Sequence, residues 1–169
     1  GPAVLEFFRE GHAALVDVLA RTPSDAPAYT WSSDHTAGFY HRRVAHETAV
    51  HRADVELAAG RSITAFDGDT AADGIDELYD VVMPFGLSRV AADLPAGSLH
   101  LHRTDGDGEW TLQIVDGELQ LGRLHGKSTA AVRGPASDLF VFAWHRGRAD
   151  TLEVFGDASV ADAWAALAP

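Results

Sequence analysis

A chain of 169 residues, 46% hydrophobic and 22% charged, has the composition of an ordinary globular protein and is long enough to bury a core without covalent staples. Its net charge of −12, from 13 basic and 25 acidic residues, argues against nucleic acid and against an anionic membrane surface as partners. Cysteine is absent, which excludes disulfides, cysteine-based zinc ribbons and a cysteine nucleophile, and leaves His, Asp and Glu to hold any metal.

Taken in chain order, Ala3 to Arg21 reads as a helix, because Leu5, Phe8, His12, Leu15, Val16 and Leu19 recur at helical spacing and Thr22-Pro23 ends the pattern. Residues 22–35 form a loop rich in Pro, Ser and Asp. The Asp34/Thr36 region can cap a second helix that runs to about Ala59 and stops at Gly60. A Gly- and Asp-rich linker follows, and a third helix is expected over Ile75 to Ala92, kinked or divided by Pro84. The periodicity then changes to alternation. Ser98–Arg103, Glu109–Val115, Glu118–Leu124 and Lys127–Arg133 read as strands, with Asp105-Gly106 and Asp116-Gly117 as hairpin signals. Pro135 to Trp144 is a helix with Pro in its first turn, Leu152–Phe155 a short strand, and Ala158–Leu167 a last helix. No apolar run approaches ~18 residues and no basic-then-apolar leader is visible, so the expected setting is the cytoplasm.

The run AHETAVHRADVE, residues 45–56, looks like a zincin metal motif, but that motif places its two histidines four residues apart. His46 and His51 are five apart, which at about 100° per residue turns one roughly 140° from the other, so they cannot share a metal on a regular helix. Glu47 and His51 are four apart and lie one turn above each other, on a face that continues through Tyr40, Val44, Val55 and Ala58. That face is otherwise apolar and is expected to point into a core. A Glu and a His in such a stripe form either a bonded structural pair or two ligands of a divalent cation such as zinc, for which another helix must supply a third.

The run AGFYHRRVAHETAVHRADVELAAGR resembles the signature helix of actinobacterial mycothiol-dependent maleylpyruvate isomerase family proteins, within the wider DinB-like superfamily. LPAGSLHLHRTDGDGEW, AAVRGPASDLFVFAW and LEVFGDASV resemble that family's C-terminal domain, which is similar to sterol-carrier folds. The resemblance implies a four-helix bundle holding zinc or another divalent metal through an early His plus Glu and His at E-x-x-x-H spacing. Glu47 and His51 match that pair. It further implies a mycothiol-like thiol whose sulfur the metal holds as a thiolate, and isomerase or S-transferase chemistry on small electrophilic metabolites or xenobiotics. Family members usually begin with two further helices, the second carrying the first His in an A-H-L-like context, whereas VLEFFREGHAALVDVLA resembles the third helix. The third ligand is therefore absent from the visible sequence. His12 could substitute, but core packing is the preferred reading for it. Uncovered apolar faces on such a partial bundle predict a homodimer, or a missing N-terminal segment that completes it.

The expected fold class is α+β: a partial DinB-like helical metal-binding domain over residues 1–62, a linker over 63–74, and a small α/β domain with a mainly antiparallel sheet over 75–169. His100 and His102 alternate on one strand and so share a face, but no third ligand is evident beside them, and solvent-facing strand histidines are the preferred reading. His35, His41 and His46 read as surface groups. Arg42, Arg43 and Arg52 flank the expected ligands, with surface ion pairs to Glu56 or Asp54 preferred over contacts to a cofactor. Trp31, Phe39 and Tyr40 read as packing. Gly106–Gly108 reads as a hairpin, because no helix follows it as a phosphate loop requires. The alternative to a thiol-using enzyme is a non-catalytic binding protein that keeps the fold with an incomplete metal site. A third reading has the C-terminal module bind an apolar ligand.

Overall fold

The computed structural model describes residues 1–87, 94–148 and 150–167. The chain divides into two compact units, Gly1–Thr48 and Ala49–Pro169, with the second helix running across the division.

In the first unit, α1 (Pro2–Arg21) starts with proline in its first turn, where a missing N–H leaves nothing unsatisfied, and ends where Thr22 turns extended. None of its residues is buried. Val4, Leu5, Phe7, Phe8, Val16 and Val18 are all at least half exposed. His12 is exposed too and stacks beside Phe8, so the core packing expected of it does not occur: among the described residues nothing covers this face. The following loop is tied by Thr30, buried, whose hydroxyl donates to the Asp34 carbonyl at 2.6 Å. Asp34 accepts from the Thr36 amide and hydroxyl at 3.1 and 2.7 Å, just ahead of α2 (Ala37–Ala58). Phe39 packs edge-on against both Trp31 and Tyr40, as the packing reading expects.

The second unit is built on a five-stranded sheet in the order β3-β2-β1-β4-β5. Its strands are β1 (Leu99–Arg103), β2 (Glu109–Val115), β3 (Glu118–Gly122), β4 (Ala130–Gly134) and β5 (Glu153–Gly156). Only the β1–β4 pairing is parallel. The class is α+β with a mainly antiparallel sheet, as expected. Asp116 and Gly117 both have positive φ, 53° and 82°, the signature of a tight primed hairpin turn. Leu99, Leu101, Trp110, Leu112 and Val132 fill one sheet face and are buried with Ile75 and Leu78, with Leu139 and Phe140 of α5 (Ala136–Ala143) and with Trp164 of α6 (Ala158–Ala166). Three buried tryptophans find acceptors for their ring N–H: Trp110 on Asp76 at 2.6 Å, Trp144 on the Gly74 carbonyl at 3.2 Å, and Trp164 on the Gly97 carbonyl at 3.1 Å.

Two expectations need correction here. The helix expected at Ile75 begins at Gly68: α3 spans Gly68–Glu77, and Asp67 caps it by accepting from the Thr70 amide at 3.0 Å. The Asp-Gly-Asp-Thr composition that suggests a linker is a helix start. Near Pro84 the helix is divided, as expected. It passes through a π turn, Leu78–Val82, into α4 (Met83–Leu87). This widened turn ends two residues before Pro84, whose nitrogen cannot continue the regular ladder. The remainder of the expected helix, residues 88–92, lies outside the described residues. The strand expected at Lys127 begins only at Ala130. Among the described residues, no helix is long and apolar enough to cross a membrane.

The loop between β1 and β2 is a shelf for Arg103, whose side chain is only 7% exposed. Its guanidinium donates to Asp105 at 2.9 Å, Asp69 at 3.0 Å and the Asp107 carbonyl at 3.2 Å. A Cβ at position 106 would sit 2.6 Å from the guanidinium carbon, which is why glycine stands there. Asp105 also accepts from the Ala136 amide at 3.0 Å and so caps α5, whose own N-cap, Pro135, offers no side-chain acceptor. Burial pushes the Asp105 carboxyl up, but Arg103 and the Ala136 amide outweigh this and hold it below its usual value. A depressed folded pKa contributes stability above the unfolded value and loses it as pH falls through the folded one. Asp105→Ala should destabilise by about 2 kcal/mol, and Asp105→Asn should flatten the acid limb of the stability–pH curve, both read by urea unfolding.

Candidate functional site

Glu47 and His51 lie on α2, but not in a buried stripe. Glu47 is half-buried and His51 is exposed, as are Val55 and Ala58 further along the same face. The buried line of α2 is instead Phe39, Arg43, His46, Val50 and Ala53. His46, expected at the surface, is 2% exposed. Helical period alone yields two candidate stripes on this helix, and the one carrying Phe39, Val50 and Ala53 is the one that is buried.

Each of the two expected ligands has a partner that orients it. Arg43, with its guanidinium buried, forms an ion pair with the Glu47 carboxylate one turn away. His51 bonds through Nδ1 to the Asp54 carboxylate at 2.8 Å, and Asp54 accepts in turn from Arg146 at 2.9 Å. The Arg146 hydrogen bond is the strongest influence on Asp54 and, with that of His51, holds its carboxyl below the ordinary value against the opposing effect of burial. A carboxylate on Nδ1 places the ring proton there and makes Nε2 the nitrogen that can ligate, the usual support for a metal-binding histidine. Arg52 does not pair with Asp54: it donates to the Thr64 carbonyl at 2.6 Å and lies 4.1 Å from the centre of the Phe66 ring.

A second constellation lies on the sheet. His100 and His102 alternate with the buried Leu99 and Leu101 on β1, so they share the opposite face. The β1–β2 register sets Glu109 directly across from His102 and Thr111 across from His100. Glu109 takes both histidines: His102 Nδ1 lies 2.6 Å from one carboxylate oxygen and His100 Nε2 bonds to the other. Thr111 donates its hydroxyl to the Leu124 carbonyl at 3.1 Å and so holds the segment after β3 over the same face. This brings His125 Nδ1 to 3.3 Å from Glu109. One donor atom from each of His100, His102, Glu109 and His125 lies within 4.8 Å of the other three. Burial pushes the Glu109 carboxyl up, but hydrogen bonds from the three histidines outweigh it and hold the pKa below its usual value. His102 and Glu109 also wall a cleft of about 630 Å³, which runs to Asp76, Arg103 and Arg123.

The solvent-facing reading of the strand histidines therefore fails for His100, which is 3% exposed. Glu109 was within reach of sequence reasoning: a hairpin closing on Asp105-Gly106, with strands over 98–103 and 109–115, pairs 102 with 109. His125 was not, because it arrives on an irregular segment without period.

Comparison with known proteins covers most of the chain. Residues 1–56 match the mycothiol maleylpyruvate isomerase N-terminal domain, and residues 69–163 match the C-terminal domain of the same family. Among solved structures, a UbiJ–SCP2 ubiquinone synthesis protein is 22% identical, with 55% of this chain and 84% of that one covered at a TM-score of 0.34. A sterol carrier protein 2-like 2 from Aedes aegypti is 16% identical, with 58% and 96% covered at a TM-score of 0.42. Neither likeness is close enough to carry function across. No curated protein sequence matches the chain. Two family matches, one over each part of the chain, settle its membership: it belongs to the mycothiol maleylpyruvate isomerase family.

Proposed function

We propose that this chain is a divalent-metal-dependent enzyme that uses a mycothiol-like thiol to isomerise, or transfer sulfur to, small electrophilic metabolites or xenobiotics. The observation that carries the reading is the Glu47–His51 pair on α2, in a chain of this family, with each side chain oriented by a charged neighbour. The donor set fits zinc: one carboxylate oxygen, one imidazole nitrogen, and an aspartate behind the imidazole. When bound, the cation would keep the thiol sulfur as a nucleophilic thiolate near neutral pH. Glu47 and His51 would hold the cation, Arg43 positions Glu47, and Asp54, itself held by Arg146, positions His51. A third donor has to come from outside the pair. The apolar, uncovered face of α1 is the surface on which a second copy, or further helices of the same fold, would pack to supply it. A reduced thiol as co-reactant fits a cytoplasmic setting.

Metal analysis tests the assignment. The Glu47→Ala/His51→Ala double variant should lose one bound equivalent of zinc relative to the wild type. An unchanged zinc content would remove the pair from the account. The second reading, a binding protein with an incomplete site, is favoured by the exposure of His51 and by the pairing of both side chains along their own helix. Thiol-dependent turnover by the purified chain would exclude it.

A further inference from the structure

We propose that His100, His102, Glu109 and His125 form a second, independent binding site for a divalent transition-metal ion on the outer face of the sheet. The inference does not rest on the α2 pair. Three imidazoles and one carboxylate converge with one donor atom each inside a 4.8 Å span. Donors around tetrahedral zinc sit ~2.0–2.1 Å from the ion and roughly 3.3 Å from each other. The span is thus wider than a loaded site, and adjustments of up to about 1.5 Å close it. His125 can make them, because its side chain is 75% exposed and sits on an irregular segment.

The other three donors are held by the fold. His100 and His102 are fixed by the β1 alternation, and Glu109 by its register opposite His102. The imidazole of His100 is 4% exposed and aims Nε2 at the Glu109 carboxylate. A buried histidine, a half-buried second one and a third on the rim, all directed at one carboxylate, give a site closed below and open above. The two arginines along the adjoining cleft do not oppose a cation, since each is matched by two carboxylates: Arg103 by Asp69 and Asp105, Arg123 by Asp76 and Asp80. Three nitrogen donors select a zinc-, cobalt-, nickel- or copper-like ion over magnesium or calcium, which take oxygen. The mixed donor set also explains why one carboxylate gathers three imidazoles: a cation at the centre satisfies four groups that otherwise compete for two oxygens.

Titration of the purified full chain with zinc and with cobalt tests the site. His102→Ala/His125→Ala should weaken one equivalent by at least ~10–100-fold, since removing even outer-shell partners has that effect. Glu47→Ala/His51→Ala should leave this equivalent unchanged. The single variant His125→Ala, at an exposed position that cannot endanger the fold, should weaken the same equivalent. Wild-type affinity and stoichiometry in His125→Ala and in the folded double variant would overturn the proposal and leave a hydrogen-bonded histidine–glutamate cluster only.

Discussion

Trp110→Ala should destabilise the second unit by about 3–5 kcal/mol, the range for truncating a buried large aromatic. Trp110 is 2% exposed and lies opposite Leu101 across the β1–β2 ladder. Its ring N–H reaches Asp76, which also pairs with Arg123 at the exit of β3. The ring fits because position 108 is glycine: a Cβ there would lie 2.5 Å from the ring edge. Removing the ring opens a cavity and unties α3 from the sheet at one point. Trp110→Phe should lose only about 1–2 kcal/mol, since it keeps most of the volume and gives up the Asp76 hydrogen bond. Urea unfolding of both variants checks the difference. Equal losses would mean that the cavity does not matter and the Asp76 bond carries the whole effect.

The largest functional effect is expected at α2. Glu47→Ala/His51→Ala should lower thiol-dependent turnover by at least ~10²–10³-fold, the scale lost when one electrostatic stabiliser is removed from an active site. Removing Glu47 also takes the ion-pair partner from the buried Arg43, so the melting temperature should fall modestly while the protein stays folded. A loss of rate far larger than the loss of folded protein is what separates ligands from packing residues. Arg146→Ala should produce a smaller loss through Asp54, which it holds at 2.9 Å and which in turn holds His51.

The parts of the fold legible in the sequence are those where short-range chemistry decides. Period-two alternation and the Asp116-Gly117 turn place β2 at its observed bounds and mark the start of β3, which ends at Gly122 rather than at the expected Leu124, and the Leu/His alternation of β1 already separates a core face from an outer face. Two features escaped because composition and structure point different ways. Asp67-Gly68-Asp69-Thr70 has linker composition yet caps a helix, since an aspartate accepting an amide three residues on is a start signal whatever surrounds it. On α2, the period allows more than one inward stripe. Only tertiary packing selects the line through Phe39, His46 and Val50 and leaves Glu47 and His51 on the more open side. The sheet cluster divides the same way. His100, His102 and Glu109 follow from strand register, while His125 depends on the Thr111 bond to the Leu124 carbonyl, a contact that no local pattern announces.

The measurement closest to the central claim is the absorption spectrum of the cobalt-loaded chain on addition of mycothiol. A sulfur-to-cobalt charge-transfer band should appear in the wild type, persist in His102→Ala/His125→Ala, and be absent in Glu47→Ala/His51→Ala. A band that survives loss of Glu47 and His51, or no band in the loaded wild type, would contradict a thiolate held at the α2 pair.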